Sequence, residues 1–182
     1  MALFKRRKLD SAVTGMIASI DKDDRVVAWA TTADDRYVVA SVRGLWWPLP
    51  GTDAAAMRRI PWELVDKAVW RDDDAVLLVV EAELVDDVVL VDRSPAALRL
   101  QDPGGVPAEV KRRVEASVIR SEIVPVVGGQ ARIVARRVPG RDGLVWQARL
   151  EGSTPDNVMV RDQVENAIAR YTAQEQAKQP QF

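Results

Sequence analysis

Apolar and polar positions alternate along much of this chain, and the alternation predicts β-strands. In the first half, Val, Ile, Leu and Trp dominate stretches at residues 25–32, 36–48, 60–71, 75–84 and 88–91. Aspartates, in pairs or in a triplet, stand between most of these stretches. Aspartate favours turns because its carboxylate accepts hydrogen bonds from nearby backbone amides. The first half therefore predicts an antiparallel meander.

The second half predicts a helix, then three more strands, then a final helix. Pro107 suits a first helical turn, and Val110, Val114 and Val118 follow at helical spacing. Strands are predicted at 123–127, 130–138 and 144–150, with Gly128-Gly129 as a two-residue hairpin turn. The final helix is predicted over 155–172, with Thr154 as its N-cap and Pro155 in its first turn.

Length and composition are typical of one globular domain. The chain has 182 residues, 47% of them hydrophobic and 29% charged, with a net charge of −1. We predict a basic, partly mobile segment at 1–20, a single β-rich domain at 21–173 and a mobile tail at 174–182. No stretch reads as a signal peptide or a membrane span, which favours a cytoplasmic protein.

Missing residue types exclude several kinds of chemistry. The chain has no cysteine and no histidine, so disulfides, thiolate sites, Ser–His triads and histidine switches are all excluded. Phosphate-binding motifs rich in glycine are also absent. The sequence therefore predicts no enzyme, no cofactor and no metal site; the Asp-rich turns are interpreted as solvated turns. A carboxylate-based enzyme stays open as an alternative.

Two segments carry a resemblance to a known family. They are DRYVVAS from Asp35, leading to LWWP from Leu45, and RIPWELVDKAVW from Arg59. Together they resemble bacterial pleckstrin-homology-like domains over about residues 26–83, and the whole chain resembles actinobacterial proteins with the same two segments. The resemblance implies a bent antiparallel barrel of about seven strands plugged by a C-terminal helix, with residues 94–120 as a helical insertion. It also implies a binding or scaffolding module, and it carries no catalytic residues over.

The expected fold class is thus α+β, mostly antiparallel β, with an inserted helix and a C-terminal helix. If the strand from Arg36 continues regularly, Trp46 faces the core and Trp47 faces outward, because neighbouring strand residues point to opposite faces. An exposed Trp47 beside Leu45 and Arg43 would form a partner-binding patch, since Trp is enriched at interface hot spots. A bulge at Gly44 would swap the two faces.

The leading hypothesis is therefore a non-enzymatic interaction module that binds a protein through this aromatic patch. The alternative is a peripheral binder of anionic membranes through the basic residues Lys5, Arg6, Arg7 and Lys8. Nucleic acid is not an expected partner, because Lys111, Arg112, Arg113 and Arg120 lack interleaved aromatics and a broad basic face.

Overall fold

The computed structural model describes residues 8–51 and 53–178. Its contacts divide the chain into two compact units. The first unit comprises the residues up to Glu81 together with Pro95–Val114, and the second comprises Ala82–Ser94 and the residues from Glu115 onward. The single domain predicted over residues 21–173 stays a prediction.

The first unit is built on a curled antiparallel sheet. Its elements are α1 (Ser11–Ile20), β1 (Val26–Thr32), β2 (Tyr37–Ser41), β3 (Gly44–Pro48), β4 (Met57–Pro61), β5 (Val65–Arg71), β8 (Ala96–Asp102), and the larger parts of β6 (Val76–Leu84) and α2 (Val106–Ser117). The strand order is β4-β3-β2-β1-β8-β6-β5, and the short strand β7 (Leu90–Asp92) pairs with the end of β6. The expected α+β class with mostly antiparallel strands is therefore confirmed.

Both faces of this sheet are covered. On one face, a cluster including Leu45, Trp47 and Ile60 packs with Val106 and Val110 of α2. On the other face, a second cluster joins strand residues to α1. Its buried members are Val13, Ile17, Val39, Trp46 and Met57. The amphipathic α1 thus covers the second face of the sheet, although the sequence analysis placed it in the basic, partly mobile segment.

Two predicted strands are each divided in two. The stretch 36–48 is a hairpin that turns at Val42-Arg43, and the stretch 60–71 breaks at a short 3-10 turn, Trp62–Leu64. At Gly44 the backbone comes so close to β4 that a Cβ atom would lie 2.6 Å from the carbonyl oxygen of Ile60. A side chain there would displace backbone, which explains the glycine.

The segment between the two meanders contains more than a helix. The helix predicted from Pro107 is confirmed as α2, but β8 precedes it and pairs with both β1 and β6. Leu98 and Leu100 of β8 are buried in the core of the first unit. The sequence analysis missed β8 because its apolar alternation is short and holds Arg99 and Gln101 at outward positions.

The second unit contains a three-stranded antiparallel sheet and a long helix. Its main elements are β9 (Val118–Val126), β10 (Gly129–Arg136), β11 (Val145–Glu151) and α3 (Val158–Lys178), with strand order β11-β10-β9. The three consecutive strands and the C-terminal helix are confirmed. Val164, Ala167 and Ile168 of α3 pack on Val124, Ala131, Ile133 and Ala148 of the sheet.

Thr154 is not the N-cap of the final helix, contrary to the prediction. Asn157, not Thr154, caps α3, because its Oδ1 accepts the backbone N–H of Val160 at 3.0 Å. The Thr154 hydroxyl oxygen instead accepts the N–H of Gln130 at 2.9 Å, beside the β9–β10 turn. The turn residues are Val127-Gly128 rather than Gly128-Gly129. The helix also runs on to Lys178, so the predicted tail is helical over its first residues.

Asp86 fixes the turn between β6 and β7. Its carboxylate accepts the backbone N–H groups of Val89 at 2.9 Å and Val88 at 3.1 Å, and Arg161 lies 2.7 Å away. The hydrogen bond from Val89 lowers the pKa of Asp86 most, with Val88 and Arg161 adding to it against the opposing effect of burial. The folded state therefore favours the ionised form.

A lowered pKa gives a pH dependence of known sign. Above the unfolded pKa of about 4, Asp86 is ionised in both states and its stabilisation is complete. As the pH falls, the unfolded chain takes up the proton first and that stabilisation is lost. We expect the melting temperature of wild type to exceed that of Asp86→Asn at pH 5, and the gap to shrink toward pH 2 in calorimetry. A gap independent of pH would contradict the assignment.

Candidate functional site

The predicted aromatic patch is not on the surface. Trp47 is only 7% exposed and Leu45 is fully buried, so the expectation of an outward Trp47 is wrong. Its physical reason is the curl of the sheet, which closes over Trp47 from the side of Ile60 and Val110. The buried Trp46 is confirmed, at 1% exposure. Both faces of β3 are therefore core.

Arg43, the third residue of the predicted patch, is occupied by ion pairs. Its guanidinium lies 2.9 Å from Asp21 and 3.5 Å from Asp23. Arg59 reaches the same oxygen of Asp21 at 2.8 Å. The hydrogen bond from Arg59 lowers the pKa of Asp21 most, and the charge of Arg43 contributes. Arg43 thus belongs to a structural network and presents no free cation to a partner.

Asp24 lies at the centre of that network and has a fully buried side chain. Its Oδ2 accepts the Ser41 hydroxyl at 2.9 Å and the indole N–H of Trp46 at 3.1 Å, and its Oδ1 accepts the backbone N–H of Arg43 at 2.8 Å. Arg59 lies 3.4 Å from Oδ2. A buried carboxylate with this many donors is satisfied and holds its neighbours in place. The Asp24 cluster is therefore structural.

The basic segment of the alternative hypothesis lies mostly outside the described residues. Lys5, Arg6 and Arg7 are not among residues 8–51 and 53–178, and Lys8 is exposed. Within those ranges, no helix is both long and apolar enough to cross a membrane.

The aspartate-rich stretches form turns, as predicted, and two of them bond to β8 from its opposite edges. The turn after β1 bonds to β8 through Ala33 N–H and Arg99 O at 2.9 Å, and the turn after β5 bonds to it through Ala75 O and Leu100 N–H at 2.8 Å. In the described part of the chain, no group of three or more acidic side chains is arranged to hold a metal ion.

A groove opens in the first unit beside the turn that follows β5. It has a volume of about 440 Å³ and lies between the β5–β6 hairpin and the start of α2. Its walls are mostly apolar. The lining residues are Ala68, Trp70, Asp72, Leu77, Pro103, Gly104, Pro107, Ala108 and Lys111.

Trp70 is held in a fixed position in this groove. Its indole N–H donates to Oδ1 of Asp72 at 3.1 Å, and its ring packs on the edge of the core while remaining partly exposed. Pro103 and Pro107 stand opposite on the approach to α2, and buried Leu77 contributes to the floor. The arrangement is a rigid aromatic wall facing two rigid pyrrolidine rings, so an apolar ligand would meet a largely preformed surface.

One aspartate and one lysine line the groove: Asp72 in the β5–β6 turn and Lys111 on α2. In the same turn, Asp73 is exposed, and Asp74 is paired with Arg71 at 2.9 Å. Among the described residues, Asp73 has no such ion pair. A cationic group placed at this turn would therefore meet Asp72 and Asp73.

The second unit carries a larger cleft, of about 570 Å³. Trp146 and Leu144 line it together with Arg137 and Arg141, but so do Asp142 and Glu175. Glu175 is paired with Lys178 at 2.8 Å. This mixture of charges selects no ligand class, whereas the Trp70 groove is mostly apolar and holds an aromatic ring fixed by a hydrogen bond.

The sequence analysis gave Trp70 no role in a site and gave Pro107 only the role of starting a helix. One signal did separate Trp70 from the other tryptophans. It stands near the end of a strand, shortly before an acidic turn, where a sheet reaches the surface.

Comparisons with protein-family models, with curated proteins and with solved structures find no match for this chain.

Proposed function

We propose that this protein is a non-enzymatic interaction module that binds an extended segment of a partner protein in the groove beside Trp70. The observation that supports it most is a tryptophan fixed by Asp72, partly exposed, in a groove with two prolines. Tryptophan anchors in such pockets dominate binding energy at many protein interfaces.

The chemistry of the groove suggests what the segment carries. A proline or an aliphatic side chain fits between the Trp70 ring and Pro103 or Pro107, because rigid apolar rings lose little entropy on contact. A lysine or arginine beside that anchor would meet Asp72, which lines the groove, and the exposed Asp73 next to it. The expected ligand is therefore a short peptide with an apolar anchor next to a basic residue.

The polar groups of the groove support binding rather than catalysis. Asp72 accepts the Trp70 indole N–H, and the other ionisable lining residue, Lys111, stands on the exposed side of α2. General acid–base chemistry needs an acid or base free to reach a substrate, and the Asp72 carboxylate is already engaged by the Trp70 indole.

We expect peptides selected from a phage-displayed random library on the immobilised protein to carry that motif. Trp70→Ala should weaken binding of the selected peptides by about 30-fold or more, the effect typical of a hot-spot residue. The affinity is measured by fluorescence anisotropy of labelled peptides. Raising the salt concentration should weaken binding as well, because the basic residue meets exposed carboxylates.

Trp29→Ala is the matched control, since Trp29 is also partly exposed but packs with Tyr37 in the cluster under α1. It should leave the peptide affinity within a few-fold of wild type. Selection of no common motif, or equal loss of binding in both variants, would argue against the groove as the site.

A further inference from the structure

The sequence of strand β9 is almost palindromic. Residues 118–124 are Val-Ile-Arg-Ser-Glu-Ile-Val, so that Ser121 stands at the centre with matching or oppositely charged residues on either side. We infer that β9 pairs antiparallel with β9 of a second copy of this chain, around a two-fold axis at Ser121. This homodimer is independent of the Trp70 groove.

The position of β9 in its sheet leaves room for this pairing. The strand order is β11-β10-β9, so β9 is an edge strand, and α3 packs on one face of the sheet. Among the described residues, no strand pairs with β9 on the side away from β10. A long, apolar edge strand is a template for pairing with another chain.

The hairpin geometry shows which backbone groups point outward. The turn has two residues, so Val126 and Gly129 flank it and form a hydrogen-bonded pair. Hydrogen-bonded and non-hydrogen-bonded pairs then alternate from Val126 back to Arg120, where the register shifts at Ile119. The N–H and C=O groups of Ser121 and Ile123 therefore point away from β10, toward a new strand.

Pairing around Ser121 places this residue opposite its own copy, where the two backbones exchange two N–H···O=C bonds. Arg120 then stands opposite Glu122 of the second copy on each side of the axis. Moving the axis to Ile123 places Ser121 opposite Pro125, which has no N–H to donate, and takes Arg120 away from Glu122 of the second copy. The Ser121 register is thus the one that matches the charges.

The side chains agree with the same register. Ile123 is 50% exposed at this edge, and the pairing covers its side chain with the second copy. On the α3 face, Arg120 comes opposite Glu122 of the second copy. Within one chain these two charges are 3.3 Å apart, and Arg120 also stacks on the Tyr171 ring at 4.3 Å. The stacking holds the guanidinium near the edge.

One strand pair is a small interface, because stable assemblies bury more than about 1,000 Å². We therefore expect a monomer–dimer equilibrium in the micromolar range by sedimentation velocity. The chain has no cysteine, so a single introduced thiol reports the register directly. Residues facing each other in a hydrogen-bonded pair have Cα atoms about 5.5 Å apart, within disulfide range.

Under mild oxidation, Ser121→Cys should form a covalent dimer, whereas Ile123→Cys should form little covalent dimer in the same time. Ile123→Cys is the matched control, because it lies on the same strand and face but more than about 10 Å from its own copy in this register. Equal cross-linking by both variants would overturn the register. The dimer would be overturned if the wild-type protein stayed monomeric at 200 µM, a concentration roughly 100-fold above the lower micromolar range.

Charge exchange gives a second test that does not depend on thiols. Arg120→Glu places Glu opposite Glu, and Glu122→Arg places Arg opposite Arg, so each variant alone should be shifted at least tenfold toward monomer. Mixed in equal amounts, the two variants restore both opposite-charge pairs and should form heterodimers. Circular dichroism melting of each variant checks that the fold is intact. Folded variants whose mixture stays monomeric would contradict the pairing.

Discussion

Replacing Trp47 with alanine is expected to lower the free energy of unfolding by about 3–5 kcal/mol, the usual cost of emptying a large core site. The Trp47 ring is 7% exposed and packs among Leu45, Ile60 and the apolar face of α2. The surrounding sheet is anchored on both sides and can collapse only partly into the cavity. Urea unfolding followed by circular dichroism measures the change.

Trp46→Ala should cost a similar amount, because Trp46 is equally buried on the opposite face of β3 and also donates to Asp24. The control is Trp70→Ala, whose ring is partly exposed at the groove and should cost clearly less. A loss below about 1 kcal/mol for Trp47→Ala, typical of surface substitutions, would mean that this tryptophan faces solvent after all.

Replacing Asp24 with alanine is expected to cost about 3 kcal/mol, because it removes a buried carboxylate that accepts three hydrogen bonds and leaves the Arg43 backbone N–H without this acceptor. The Ser41 hydroxyl, the Trp46 indole and the Arg43 backbone N–H all lose their carboxylate oxygen. Arg59 retains Asp21 at 2.8 Å, which limits the loss. Chemical unfolding of both proteins at neutral pH gives the difference.

Asp23→Ala is the matched control for Asp24. Asp23 is the neighbouring residue, but its side chain is 64% exposed and its distance to Arg43 is 3.5 Å. An exposed ion pair contributes about 0–1 kcal/mol. If the two alanine variants were destabilised equally, the buried network around Asp24 would not be holding the β2–β3 hairpin to the end of α1.

Local patterns were sufficient to predict the second unit. Its strands follow one another through short turns, and clean alternation at Leu144–Leu150 with turns at Gly128 and Gly143 determines them from neighbours alone. The final helix was predicted for the same reason. Its cap was assigned to the wrong residue because Thr154 and Asn157 are both good caps, and only the contact of Thr154 with Gln130 separates them.

The first unit depends on contacts between distant residues, which single-strand alternation does not contain. Trp47 was expected outside because alternation assigns one face to the core, whereas both faces of β3 are buried, one of them under α1. The turn at Val42-Arg43 is fixed by Asp24, almost twenty residues earlier in the chain. The groove likewise joins Trp70 to Pro103 and Pro107 from a segment interpreted as an insertion.

The place of β8 in the sheet has a consequence for how the chain folds during synthesis. Thr32 of β1 pairs with Leu100 of β8, so about seventy further residues must be synthesised before β1 can pair with its second neighbouring strand. Until then β1 and β6 both offer open edges, and contacts of such long sequence separation slow folding. A nascent chain halted before Ala96 should therefore be bound by chaperones or cleaved by proteases, whereas one that extends past Ser117 should become resistant to protease.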